Sequence, residues 1–357
     1  MGQIKRAAKL SDVAREASVS IATASIILNN PEKDRFSEST RTRVRRAAEQ
    51  VHYTRPAGTA PRKRERPIVG LVIPDLANQF YPEITSAFSR KANEQGYQVM
   101  ILDMANSFQK ERDFIRILLQ MRVAGVAICG ACEKDEAEEQ KLIRQILRAG
   151  IPAVQFDRYS QNTACPYVGI DNYHAGLCMT ARLIQAGHRS IALLRCREVP
   201  RIVLERQRGY EDAMARYGLT PRIITYAQGC FGSIYQELYK LMHPDRRCTA
   251  LFAIGGDVEA IECIRASGKM GFRVPQDLSI AGFDDVSMAE VINPGLTTIS
   301  QPKAEIGETA MGLLASMIRR HTLTENNILL PFECLVREST LVILDGEQKF
   351  MEQERSL

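Results

Sequence analysis

The chain has no tryptophan among its 357 residues, and aromatic side chains make up only 6 % of it. It has no apolar run near the roughly 18 residues that a membrane-spanning helix needs. Its charged start, MGQIKRAAKL, is followed by no apolar stretch of the kind found in secretory signals. No membrane association is therefore expected, and a cytoplasmic location is. Nine cysteines are scattered; the one close pair, Cys129 and Cys132, has no second pair at zinc spacing. They read as small buried hydrophobes rather than metal ligands or disulfides. The five histidines do not cluster. No G-x-S-x-G, Walker A, H-E-x-x-H or G-x-G-x-x-G after a first strand occurs. We expect no enzyme, no cofactor and no metal.

What the chain does have is an uneven charge. The formal net charge is +5, but residues 1–66 carry 15 Lys/Arg against 7 Asp/Glu, a balance of +8. The remainder holds 32 basic and 35 acidic residues, a balance of −3. A small basic head on a mildly acidic body is suited to a polyanion. A solvated basic tail would have low complexity, whereas this head has helical periodicity. Val13, Ala14 and Ala17 fall at helical spacing behind Ser11, a candidate N-cap with Asp12 in the first turn. Ser20 is placed to cap a second helix from Ile21 to about Asn29, with Ala24, Ile27 and Leu28 in one apolar stripe. Ser37 opens a third helix with Val44, Ala47, Ala48 and Val51 inward, and Arg41, Arg43, Arg45 and Arg46 around the rest. Two short helices at a tight turn, with a third completing a core, make a helix-turn-helix. Small residues on the second helix let it approach base edges, and the basic third supplies phosphate contacts.

The stretch YTRPAGTAPRKRERPIVG (53–70) has three prolines and the cations Arg62, Lys63, Arg64 and Arg66, a linker by composition. Arg62 and Arg64 are candidates for phosphates or a narrow minor groove; a disordered basic tether is the equal alternative. Beyond it, buried strands such as PIVGLVIPD alternate with amphipathic helices such as FYPEITSAFSRKANEQGY. The alternation restarts after YVGIDNYHAG, with helices over 174–186, 205–217, 233–242 and 257–267. This pattern implies parallel doubly wound sheets in two similar lobes with a ligand cleft between them. The fold class is α/β. The domains expected are a helix-turn-helix head over 1–54, a linker over 55–67, a two-lobed effector and dimerisation body over 68–345, and a tail over 346–357.

LSDVAREASVSIATASIILNN and FSESTRTRVRRAAEQVHYTRP resemble the DNA-binding head of the LacI/GalR family. IVGLVIPDLANQFYPEI, VQFDR, VGIDNYHAG, GHRSIALL, RVPQDLSIAGFDD, INPGLTTISQP and LVREST resemble segments of its periplasmic-binding-protein-like body, in order. The resemblance runs from about residue 9 to 340. It implies a ligand-responsive transcription regulator, most simply a repressor, acting as a homodimer on double-stranded DNA with a near-palindromic operator. It places Ile21, Ala22 and Ile26 at base-reading positions and Thr23 and Ser25 at phosphates, with Ser20, Asn29 and Arg35 beside them. The family's usual arginine in this helix is Ile26 here, and its usual turn glycine is Ser18. Bidentate reading of guanine is thus unavailable from these three places, and contact with thymine methyls is expected instead. The family's linker forms a hinge helix whose leucine wedges into the minor groove; no leucine stands between Pro56 and Leu71.

In α/β sheets ligands sit beyond the carboxyl ends of strands. Asp75, Asn78, Asp157, Arg158, Asp171 and Asp284 collect there, though any one Asp at a strand end can equally cap a helix. Phe80 or Tyr81 can stack on a sugar ring, and Arg206 stands where the family keeps a ligand-binding arginine. Where the family has Asn-Asp, this chain has Gly256 and one extra residue before Asp257. The expected effector is a small polar metabolite such as a sugar or sugar acid. Two alternatives remain: a two-lobed solute-binding protein for transport, and a regulator with weakened DNA readout.

Overall fold

Serine hydroxyls start two of the three head helices. The computed structural model describes residues 8–29, 36–53, 66–130, 136–227, 231–243, 248–320 and 327–343. The chain divides into two units, Met1–Arg66 and Pro67–Leu357. In the first, α1 (Leu10–Glu16), α2 (Ile21–Asn29) and α3 (Glu38–Gln50) surround a core of Val13, Ala14, Ala17, Ala24, Ile27, Val44 and Ala47. Ser20 Oγ accepts the Thr23 N–H at 3.0 Å, and Ser37 Oγ accepts that of Thr40 at 3.4 Å. Ser11 is not a cap. The helix begins before it, because the Asp12 carboxylate takes the Lys9 N–H at 2.8 Å and leaves Ser11 inside the first turn. Ser18 turns the chain between α1 and α2 with φ 50°, in the left-handed region. Arg43 Nε donates to the carbonyl of Ala17 at 3.0 Å, so this arginine closes the end of α1.

The second unit contains two six-stranded sheets. The first is built from β1 (Ile68–Ile73), β2 (Gln98–Asp103), β3 (Gly125–Ile128), β4 (Ala153–Phe156) and β5 (Tyr167–Ile170), with α4 (Phe80–Glu94), α5 (Phe108–Met121) and α6 (Glu136–Arg148) as crossovers. The chain then passes through α7 (Asn172–Gln185) to β6 (Ile191–Cys196), α8 (Arg201–Arg216), β7 (Arg222–Tyr226), α9 (Phe231–Leu241), β8 (Ala250–Ala253), α10 (Asp257–Lys269), β9 (Ser279–Asp284), α11 (Met288–Val291) and β10 (Thr297–Ser300). It returns through α12 (Lys303–Arg320) and β11 (Ile328–Leu330) to the first sheet, and through β12 (Glu333–Leu335) to the second. The strand orders are β11-β5-β4-β3-β1-β2 and β12-β10-β9-β8-β6-β7. All pairings are parallel except β10 with β12.

The lobes are therefore not simply in series, as the alternation implied. The first lobe borrows α12, whose Ile306, Ala310, Met311 and Leu314 pack with Leu71, Ile84 and Phe88 in one buried cluster. The helix expected over 205–217 begins at Arg201, because Pro200, with φ −65° and ψ 160°, is set to enter a helix. No helix among the described residues is long and apolar enough to cross a membrane.

Candidate functional site

In α2 the burial falls on one side. Ala24 and Ile27 are buried, while Ile21 is 54 % exposed and Ala22 is open to solvent. Thr23, Ser25 and Ile26 are half-buried, and Ser20 is exposed at the helix start. The Ser20 and Thr23 hydroxyls bond each other at 2.9 Å. The two foremost base-reading candidates thus project from the first unit, on a helix whose opposite side anchors it. Asn29 ends α2; Arg35, Arg62 and Arg64 lie outside the described residues.

In the second unit a cavity of about 180 Å³ lies at the carboxyl ends of strands from both sheets. Seven of the ten residues expected for the effector line it: Asn78, Phe80, Tyr81, Asp157, Arg158, Arg206 and Asp284. Tyr81 Oη donates to Asp157 Oδ2 at 3.0 Å, and the Cys129 thiol lies 3.5 Å from the same oxygen. Burial raises the pKa of both Tyr81 and Cys129, so both remain protonated donors. Arg158 Nη1 donates to Asn106 Oδ1 at 3.1 Å. Arg206, 2 % exposed, donates from Nε to Asn172 Oδ1 at 2.8 Å and from Nη1 to the Ile254 carbonyl at 2.9 Å. Its guanidinium carbon stands 3.5 Å from the centre of the Phe283 ring. Burial lowers the Arg206 pKa, and Asp284 and Asp157 act against that. Close packing of α7 on α8 sets this arginine in place: a side chain at Gly176 would collide with the Arg206 carbonyl.

Asp284 Oδ1 accepts from Gln301 Nε2 at 2.7 Å. Burial raises this carboxyl to about 6, with the Arg206 charge opposing. Asp157 (φ 56°) and Asp284 (φ 103°) both hold a left-handed backbone at the ends of their strands, a strain that recurs at binding sites.

Three expected residues do not line the cavity. Asp75 accepts the Ala77 N–H at 2.9 Å and lies 3.4 Å from Asn106 Nδ2, so it holds the cavity residue Asn106 from behind. Asp171 caps α7, accepting the His174 N–H at 2.9 Å, with the His174 ring at 2.7 Å. Asp257, 1 % exposed, accepts from Thr298 Oγ1 at 2.6 Å and from the Val286 N–H at 2.8 Å, tying α10 to the strands beside it. The last two are helix-start residues: the Asp171 carboxylate satisfies donors of its own helix, and that of Asp257 satisfies donors brought from β10 and the turn after β9. The cavity also takes Asn106, Glu198, Tyr226 and Glu259, which sequence reading missed. Asn106 and Glu198 follow strands β2 and β6 and share the signal used for the others. Glu259 lies inside α10, where position relative to a strand end gives no signal. Among the described residues no cluster of side chains is arranged to hold a metal ion.

Residues 9–56 match the family model of the bacterial regulatory proteins of the lacI family, and 180–340 that of a periplasmic binding protein-like domain. The HTH-type transcriptional repressor CytR of Escherichia coli (strain K12) is 32 % identical over 339 residues, covering 94 % of this chain and 96 % of its own. Catabolite control protein A of Priestia megaterium is 31 % identical, covering 92 % of this chain and 98 % of its own. Among solved structures, the complex of the transcriptional regulator CelR with cellobiose is 26 % identical with a TM-score of 0.66, covering 93 % of this chain and 99 % of that one. The lac repressor dimer bound to its operator shares the fold, with a TM-score of 0.72 at 23 % identity over 94 % of this chain and 100 % of that one. These relatives are transcription regulators, not enzymes. At this identity and coverage the chain belongs to the LacI family of bacterial regulatory proteins, as a DNA-binding transcriptional repressor with an effector-binding body.

Proposed function

We propose that the protein is a cytoplasmic homodimeric repressor that reads a near-palindromic operator through Ile21, Ala22 and Ile26 and is controlled by a sugar-like metabolite in the cavity. The observation that carries this reading is the division of α2, with Ala24 and Ile27 sealed in the core and Ile21 and Ala22 in the open. Apolar side chains at these places favour thymine methyls at the contacted positions. The cavity combines an aromatic pair, Phe80 and Tyr81, with carboxylates and guanidinium groups, the combination that binds a hydroxyl-rich ring. Its volume suits a monosaccharide-sized molecule. The relative with bound cellobiose supports a carbohydrate here by analogy. Ligand and operator binding are then two linked equilibria, each changing the other's affinity by the same factor.

A transport protein has no use for a three-helix head with exposed small residues, which favours the regulator over that alternative. A thermal-shift screen with neutral sugars and sugar acids tests the ligand site. A ligand raises Tm, and Arg206→Ala should abolish the rise while the ligand-free variant still melts cooperatively. A rise that survives the substitution would remove the ligand from this cavity.

A further inference from the structure

Glu259 lies in the first turn of α10, and its carboxyl reaches back to the cavity over Gly255. A side chain at 255 would collide with both carboxyl oxygens, so the glycine is what allows the carboxyl to lie there. Oε1 is taken: Tyr226 Oη donates to it at 2.5 Å. Oε2 is buried and has no hydrogen-bond partner among the described residues. A buried acceptor left in this way costs stability unless something donates to it. Burial raises the carboxyl to about 7, against the pull of the Tyr226 hydroxyl, the Gly255 N–H and the Arg206 charge. The lining is also rich in carboxyl groups. Asp157, Asp284, Glu198 and Glu259 bring four carboxyl groups to the cavity, against the guanidinium groups of Arg158 and Arg206. Arg206 already donates to Asn172 and Ile254.

We propose that Glu259 determines which ligand the cavity accepts: its Oε2 takes a hydrogen bond from a hydroxyl or amine of a neutral or amine-bearing monosaccharide, and it turns sugar acids away. The inference rests on the cavity being the effector site. It narrows the sugar or sugar acid of that reading to one side. Glu259 acts as a specificity residue, and the glycine at 255 makes room for it.

Isothermal titration calorimetry on the full chain tests this with D-glucose, D-ribose, D-glucosamine, D-gluconate and D-glucuronate as probes. At least one neutral or amine-bearing probe should bind, and neither acid should. Glu259→Ala should weaken the bound probe about tenfold or more, the loss expected for a buried hydrogen bond to a charged group. Glu259→Gln keeps an acceptor for Tyr226 and turns Oε2 into a donor, so it should shift preference toward D-gluconate or D-glucuronate. A purely packing role for Glu259 predicts no such reversal. Melting curves without probe establish that each variant is folded, and the near-isosteric Gln variant serves if the Ala variant is not. An acid bound more tightly than every other probe by the unaltered chain, or neutral binding unchanged in both variants, overturns the inference and leaves the effector site standing. No binding by any probe removes both.

Discussion

At Ser18 the backbone holds φ 50° in the turn before α2. A left-handed conformation costs a residue with a side chain about 1–2 kcal/mol relative to glycine. Ser18→Gly should therefore stabilise the head by about 1 kcal/mol after the greater freedom of the unfolded glycine is counted, seen as a higher Tm of its transition in calorimetry. An unchanged or lower Tm would mean that the serine compensates elsewhere. Asp257 makes a second residue-level case. Burial, with Asp284 nearby, raises its carboxyl from an ordinary 3.8 to about 8. The folded chain then keeps a proton that the unfolded chain releases, so this group's effect on stability becomes unfavourable as pH rises from about 4 to about 8. Asp257→Asn should flatten the fall in Tm between about pH 5 and pH 8. A slope equal to that of the unaltered chain would show the carboxyl titrating as an exposed one. Asp257 also shows what residue type alone does not reveal. Position at a strand end is shared by cavity-lining residues such as Asp157 and by caps such as Asp171. What separates them is the donors that the fold brings to each carboxylate: the His174 N–H at the start of α7 for Asp171, and for Asp257 the Val286 N–H and the Thr298 hydroxyl, both distant in sequence.

At the scale of elements, α2 was readable because two constraints meet in one short segment. Ser20 must cap it, and Ala24 and Ile27 must fill the core, which fixes the helix's rotation and leaves Ile21 and Ala22 outward. Ile21→Asp should lower affinity for a selected operator about tenfold or more in a gel-shift titration, by losing apolar contact and placing a negative charge beside DNA. Because the side chain is 54 % exposed and lies in the helix's first turn, where an acidic group suits the dipole, Tm should hardly move. A large drop in Tm would place Ile21 in packing rather than readout. The start of α1 was misread because Asp12, three residues on from Lys9, competes with Ser11 for the capping role and wins. Glu259 was missed for another reason: it reaches the cavity from within a helix, over a glycine whose use is visible only in three dimensions.

For the whole molecule, strand and helix alternation gave the layers but not the crossings. Nothing in the periodicity of α12 says that its apolar side belongs with Leu71 and Phe88, more than 200 positions earlier, rather than with the strands just before it. That return places each half of the cavity on a lobe whose last elements come from the chain's end. In the proposed coupling, a ligand held between Asp157 of one lobe and Arg206 of the other would favour one arrangement of the lobes and thereby alter operator binding. The most direct test of the account is selection of duplexes with a randomised near-palindromic site by the full-length chain, repeated with Ile21→Asp. The account predicts enrichment of one two-fold-related sequence carrying thymine at the contacted positions, and its loss in the variant. No enrichment by the unaltered chain, or the same sequence enriched by both, would contradict it.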